Sequence, residues 1–138
     1  MTEFSVRRTV RLADTDAAGV VYFARALDWC HAAYEEWLES VDLALGRLLP
    51  TADLVLPVVH AEITHSAPLV LGDELVLELT RAHVGRSSYT LAYLGRRGEA
   101  RALEATITHV CIDRATRQSQ ELPADFRRAL AQLAASGA

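Results

Sequence analysis

Between Pro57 and Asp113 the chain repeats one kind of segment four times: VVHAEITH (58–65), DELVLELTRAHV (73–84), RSSYTLAYLG (86–95) and ARALEATITHVCID (100–113). Each alternates apolar and polar residues or is rich in Val, Ile, Leu, Thr and Tyr, the pattern of strands whose successive side chains point to opposite faces. Pro68 with Gly72-Asp73 marks the first join, Gly85 the second, and the Gly95 to Gly98 loop the third. Short joins with these residues turn a chain back on itself, so the four segments are expected to form an antiparallel meander.

A fifth strand is expected at the start. In FSVRRTVRL (4–12), Phe4, Val6, Val10 and Leu12 share one parity while Arg7, Thr9 and Arg11 share the other. From Val20 to Val41 the period becomes helical, with Phe23, Leu27, Cys30, Tyr34, Trp37, Leu38 and Val41 on one stripe. Ala26, Trp29 and Ala33 widen that stripe, and Arg25, Asp28, Glu35, Glu36 and Glu39 lie opposite, so the helix should be largely enclosed. A short helix, PADFRRALAQLAA, closes the chain. The order of strand, long helix and four strands defines an α+β class, and 138 residues suffice for one domain over 1–138. One helix covers only part of a five-stranded sheet, so apolar sheet surface is expected to be left for another copy of the chain. The protein should therefore be a homo-oligomer, with its sites where subunits meet.

Composition narrows the function classes. A net charge of −4 offers no general attraction for nucleic acid or an anionic membrane, and neither is expected as a partner. No apolar run is long enough to insert into a bilayer, and MTEFSVRRTV has no signal-peptide core, which points to a cytoplasmic protein. Cys30 and Cys111 lack CxxC spacing and are expected to be reduced core thiols. His31, His65, His83 and His109 have no metal-ligand spacing, so no metal is expected. His60 lies on a strand face with Val58, Glu62 and Thr64, and without a partner at fixed spacing it suits a structural histidine better than a catalytic one. There is no GxSxG elbow and no GxGxxG loop.

The stretch RLADTDAAGVVYF (11–23) sets two carboxylates between the first strand and the long helix. On spacing alone, Asp14 and Asp16 are turn or capping residues that accept from free backbone N–H groups. Gly19, followed by VVYF, adds a second reading: a bend that brings the first turn of the helix, with its free N–H groups, beside the acids. Such a helix end favours negative charge developing on a substrate oxygen, and a carboxylate beside an oxyanion donor suits acyl transfer.

The segment VRLADTDAAGVVYFARALDWCHAAYEEWL resembles the hotdog-fold thioesterases of the 4-hydroxybenzoyl-CoA thioesterase superfamily, whose motif is Asp-x-Asp-x-x-Gly-hydrophobic-hydrophobic-Tyr/Trp-Tyr/Phe. Within it, ADTDAAGVVYFA, LPVVHAEI and HVCIDRATRQSQELPADF are similar to the 1,4-dihydroxy-2-naphthoyl-CoA hydrolases of phylloquinone and menaquinone biosynthesis. The resemblance implies a hotdog fold: one long helix wrapped by a five-stranded antiparallel sheet, with a short C-terminal helix. It implies hydrolysis of an aromatic acyl-CoA with no cofactor, coenzyme A being part of the substrate. By motif position, Asp16 is the catalytic carboxylate, as nucleophile or general base, and the Phe23 backbone N–H is the oxyanion donor. Gly19 permits close backbone approach, Tyr22 lines the acyl pocket, and Asp14 caps or braces the loop. GRSSY aligns with the family's coenzyme A contacts, making Arg86 and Ser88 phosphate-binding candidates, although this segment is less basic than in benzoyl-type members. His60 would reach the pocket across a dimer. The assembly implied is a dimer of dimers in which two sheets join and the helices lie outside. Two alternatives remain: another substrate, 4-hydroxybenzoyl-CoA or a short-chain acyl-CoA, and a non-catalytic acyl-CoA-binding or sensing module. Asp16 and Gly19 at motif positions argue against the module.

Overall fold

A computed structural model describes residues 4–136; residues 1–3, 137 and 138 of the expected 1–138 domain lie outside the described residues. The elements are β1 (Phe4–Thr9), α1 (Phe23–Ser40), a single-turn α2 (Leu45–Leu48), β2 (Leu54–Val55), β3 (Val58–His65), β4 (Glu74–Val84), β5 (Ser88–Arg97), β6 (Ala100–Val110), β7 (Ile112–Asp113) and α3 (Ala124–Ser136). A 3-10 turn, Leu12–Asp14, follows β1. Five strands form one antiparallel sheet in the order β1-β4-β5-β6-β3, with β2 and β7 paired apart from it. One long helix beside a five-stranded antiparallel sheet, with a short C-terminal helix, is the α+β hotdog arrangement.

The expected meander holds only for β4, β5 and β6. β3 pairs with β6 rather than with β4, because β1 and β5 already occupy the two edges of β4. The connector from β3 to β4 is therefore not a hairpin. It crosses the end of the sheet and binds the acid turn, with the Val21 N–H donating to the Leu69 carbonyl (2.9 Å) and Val20 bridging Val70. β5 also runs on through Gly95, expected to begin a loop. A Cβ there would stand 2.8 Å from Leu103 Cγ, so glycine is what lets β5 and β6 stay paired past that point.

α1 starts at Phe23, three residues later than the periodicity suggests. Val20 and Val21 are extended, bridging Val70 and Thr15, and Tyr22 caps the helix in an extended conformation. β-branched residues resist the helical turn and suit this bridging role. From Ala26 to Leu38 the expected stripe is buried except at Leu27, which is half-buried, while Phe23 is 65% exposed. The inner face of the sheet, including Leu75, Leu77, Leu79, Leu91 and Leu103, forms the core with α1 and with Phe126, Leu130 and Leu133 of α3. Burying each such side chain contributes about 2 kcal/mol. Both cysteines are buried free thiols, and burial pushes Cys30 up to about 12.

The outer face of the sheet is not the apolar surface expected. Register places Glu78, Arg81, Thr90, Arg96, Glu104 and Thr106 there, joined by pairs such as Arg96 with Glu78 (2.9 Å) and Thr90 with Thr108 (2.8 Å). Strand parity sends Leu75, Leu77, Leu79, Leu91 and Leu103 inward instead, while Leu94 stays on the outer face opposite Glu78 and Glu104. The exposed large apolar residues lie elsewhere: Val58 and Val59 on β3, and Leu12, Phe23, Val70 and Leu71 around the acid turn. A bulge between Val58 and His60 also takes Val58 off the face it was expected to share with His60.

Candidate active site

The two acids of the turn have different surroundings. Asp14 is buried; its carboxylate accepts from the Arg11 N–H (2.7 Å) and lies 3.1 Å from Arg25 Nε, and its carbonyl accepts from the Tyr22 N–H (3.2 Å). Both side-chain oxygens are committed, as suits a brace. Asp16 is exposed and heads a tight turn in which the Gly19 N–H donates to its carbonyl (2.9 Å) and its own N–H donates to the Val20 carbonyl (3.0 Å). Its Oδ1 accepts from the Ala18 N–H (2.9 Å), which orients the carboxylate and leaves Oδ2 available.

Gly19 has φ +80°, and nothing lies within 4 Å of where its Cβ would be. The turn itself therefore requires a residue that adopts the left-handed conformation there. That turn returns the chain so that Val21 bridges Thr15, setting the start of α1 beside Asp16.

The Phe23 and Ala24 N–H groups belong to the first turn of α1 and donate to no acceptor among the described residues. The first turn carries no acid. An 18-residue helix thus presents free N–H groups at its positive end, on the side of the acid turn. Asp16, residues Val20 to Phe23, and residues His65 to Leu69 bound one concavity of about 320 Å³. Its walls are mostly apolar, and its polar groups include the Asp16 carboxylate, the N-terminus of α1, His65 and Ser66.

Of the residues singled out in the sequence, Asp16, Tyr22 and Phe23 line this concavity, and Gly19 shapes the turn beside it. His60 does not. It lies on the outer side of β3, bonded to Glu62 (2.8 Å). Arg86 and Ser88 follow the far end of β4, whose opposite end adjoins the acid turn; an 11-residue strand separates them by roughly 30 Å. The Arg86 carbonyl receives the Leu122 N–H (3.1 Å) and an Arg127 side-chain N–H (2.9 Å). Residues His65 to Leu69 were not singled out as a wall of the site, because Pro68 reads locally as a turn. Arg25, read as a solvent-face residue of the helix, turns out to contact Asp14. Among the described residues there is no cluster of His, Cys, Asp and Glu that could hold a metal ion, and no helix is long and apolar enough to cross a membrane.

An oriented carboxylate beside a free helix N-terminus, carried on a hotdog fold, defines the thioesterase class. The family model of the thioesterase-like superfamily matches residues 10–130, and the chain belongs to that superfamily. It is 41% identical over 120 residues to the 1,4-dihydroxy-2-naphthoyl-CoA hydrolase of Nostoc punctiforme, covering 87% of this chain and 81% of that protein. It is 39% identical over 135 residues to the Synechocystis protein of the same name, covering 96% and 98%. The crystal structure of a 1,4-dihydroxy-2-naphthoyl-CoA thioesterase from Synechocystis superposes with a TM-score of 0.87 at 38% identity, over 95% of this chain and 97% of that one.

Proposed function

We propose that the protein is an acyl-CoA thioesterase that hydrolyses 1,4-dihydroxy-2-naphthoyl-CoA to 1,4-dihydroxy-2-naphthoate and coenzyme A. In this reading it is a cytoplasmic enzyme of phylloquinone or menaquinone biosynthesis. The observation that carries it is the joint presence, in one mostly apolar concavity, of Asp16 and the free N-terminus of α1. The identity to proteins that bear this activity in their names supports the choice of acyl group.

The thioester carbonyl oxygen lies at the Phe23 N–H, which with the helix end stabilises the negative charge that builds there. Asp16 Oδ2 either attacks the carbonyl carbon, giving an acyl anhydride that water then cleaves, or takes a proton from a water that attacks directly. In both cases the C–S bond breaks, coenzyme A leaves as a thiolate that takes up a proton, and one water is consumed. Tyr22 and the His65 to Leu69 wall contact the acyl group. No step calls for a cofactor.

The reading includes a homo-oligomer, a dimer of dimers. β3 is a sheet edge exposed on both faces, with Val58 and Val59 44% and 57% exposed, and an open edge of this kind is ready to pair. Arg86, Ser88 and His60, remote from Asp16 within one chain, would serve the site of a neighbouring subunit. The polar outer face offers no apolar drive for a sheet-to-sheet joint, so the edge is the favoured first contact. Sedimentation of a monomer at micromolar concentration would contradict this assembly.

The test of the activity is kcat/KM over a panel of thioesters: naphthoyl, 4-hydroxybenzoyl and short aliphatic. Preference for the naphthoyl thioester by tenfold or more is expected. A comparable preference for an aliphatic substrate removes the quinone assignment, and binding without turnover of any thioester would identify a binding module.

A further inference from the structure

Arg25 stands where helix electrostatics disfavours it. It is the third residue of α1, and a cation in the first turn opposes the macrodipole. Departures from a local rule of this kind mark places where something else is gained. Here the guanidinium is folded back onto the acid turn. Its Nε is buried 3.1 Å from Asp14 Oδ1, in an ion pair whose angle falls short of a hydrogen bond, and one Nη donates to the Ala13 carbonyl (3.4 Å). Its Cζ lies 5.7 Å from the centre of the Tyr22 ring. Asp14 is the joint between the two structures: its other oxygen holds the Arg11 N–H, and its carbonyl holds the N–H of the helix cap Tyr22. The acid turn and the first turn of α1 are thus tied through both main chain and side chain, two residues from Asp16 on one side and two from Phe23 on the other.

We propose that Arg25 is a positioning residue of the thioesterase reaction, acting through Asp14 to hold the Phe23 N–H at a set distance from Asp16. The inference rests on the assignment of Asp16 and Phe23 above. The pair has a second effect. Asp14 neutralises the guanidinium locally and is itself engaged on both oxygens, so Asp16 is left as the one acid of the turn that faces substrate. The clamp matters most when the oxyanion forms, because carboxylate and donor must then meet the same reacting centre. Its loss should therefore lower kcat and leave KM nearly alone.

The experiment compares Arg25→Gln, Asp14→Asn and the double variant with wild type, using the thioester that the wild type turns over. Assays run below the unfolding transition of each variant, located by circular dichroism. Arg25→Gln is expected to lose roughly 10- to 100-fold in kcat, the scale on which about 1 Å of misplacement acts, with KM within about threefold of wild type. The double variant should lose no more than the worse single, because the two residues act as one unit. Arg25→Lys, which keeps the charge, should recover part of the loss and replaces Arg25→Gln in the comparison if glutamine prevents folding. A folded Arg25→Gln protein with wild-type kcat, or losses that multiply in the double variant, would overturn the proposal. Asp16→Asn is assayed in parallel. If it retains turnover, the site assignment itself fails; if it loses turnover while the Arg25 variants do not, the clamp alone fails.

Discussion

His109 gives the protein a specific weakness in acid. It lies on β6 with no exposed surface, its ring stacked on Tyr89 (4.9 Å between centroids, 6° between planes) and 4.4 Å from that of Tyr34. Those tyrosines share a hydrogen bond of 2.5 Å. Nδ1–H donates to the Leu56 carbonyl (3.1 Å), while Nε2 is buried without a partner and holds no proton in the neutral ring. Burial lowers the pKa from 6.5 to about 4; the Leu56 carbonyl opposes this, and nearby His31, 6.0 Å away ring to ring, adds to it. In the unfolded chain the ring takes its proton near 6.5. The folded state therefore binds fewer protons between those values, and stability is full above pH 6.5 and falls as pH descends to 4. At about 1.4 kcal/mol per pH unit, the loss reaches about 3 kcal/mol, a large part of the 5–15 kcal/mol typical of a domain. His109→Gln can still donate to the Leu56 carbonyl but does not titrate. Urea unfolding of both proteins at fixed concentration from pH 7.5 to 4 should show wild type losing about 3 kcal/mol more than the variant, with carboxylate effects common to both cancelling. Parallel stability curves, or an imidazole NMR titration with a midpoint above about 6, would refute the reasoning.

Asp16→Asn should lower kcat by at least about 10²-fold in a folded protein that still binds substrate, whereas Asp14→Asn should cost about 1 kcal/mol of stability and only about tenfold in turnover. Steady-state kinetics with thermal melts check both, and the reverse order would mean that the wrong carboxylate has been chosen. Gly19→Ala meets no steric obstacle, so its cost should be the roughly 1–2 kcal/mol of holding an L-residue at φ +80°, and Gly19→Asn should lose less; equal melting temperatures for alanine and glycine would contradict this. Arg86→Ala should raise KM for the coenzyme A thioester with little change in kcat and leave a truncated pantetheine thioester unaffected; equal losses on both would make Arg86 structural.

The sequence by itself determined what depends on neighbours along the chain. Alternation over 74–84 and the stripe from Ala26 to Leu38 identify β4 and α1, because period and burial are coupled within one element. The proximity of Asp16 to the start of α1 is legible too, since only six residues, one of them a left-handed glycine, separate Asp16 from Phe23. What needed the tertiary structure were relations between distant segments. β3 lies against β6 because both edges of β4 are taken, and no local pattern records which edge is free. Phe23 belongs to the apolar stripe of α1 yet is exposed, because the first turn of the helix opens on the concavity rather than on the core. Residues His65 to Leu69 join Asp16 only through the crossing connector, and Arg25 meets Asp14 only because the acid turn folds back on the helix. Arg86 aligns with a binding motif, but the length and direction of β4 carry it to the other end of the sheet. Local periodicity specifies faces; partners and distances follow from how long elements are and which edges remain open, and the packed chain sets both together.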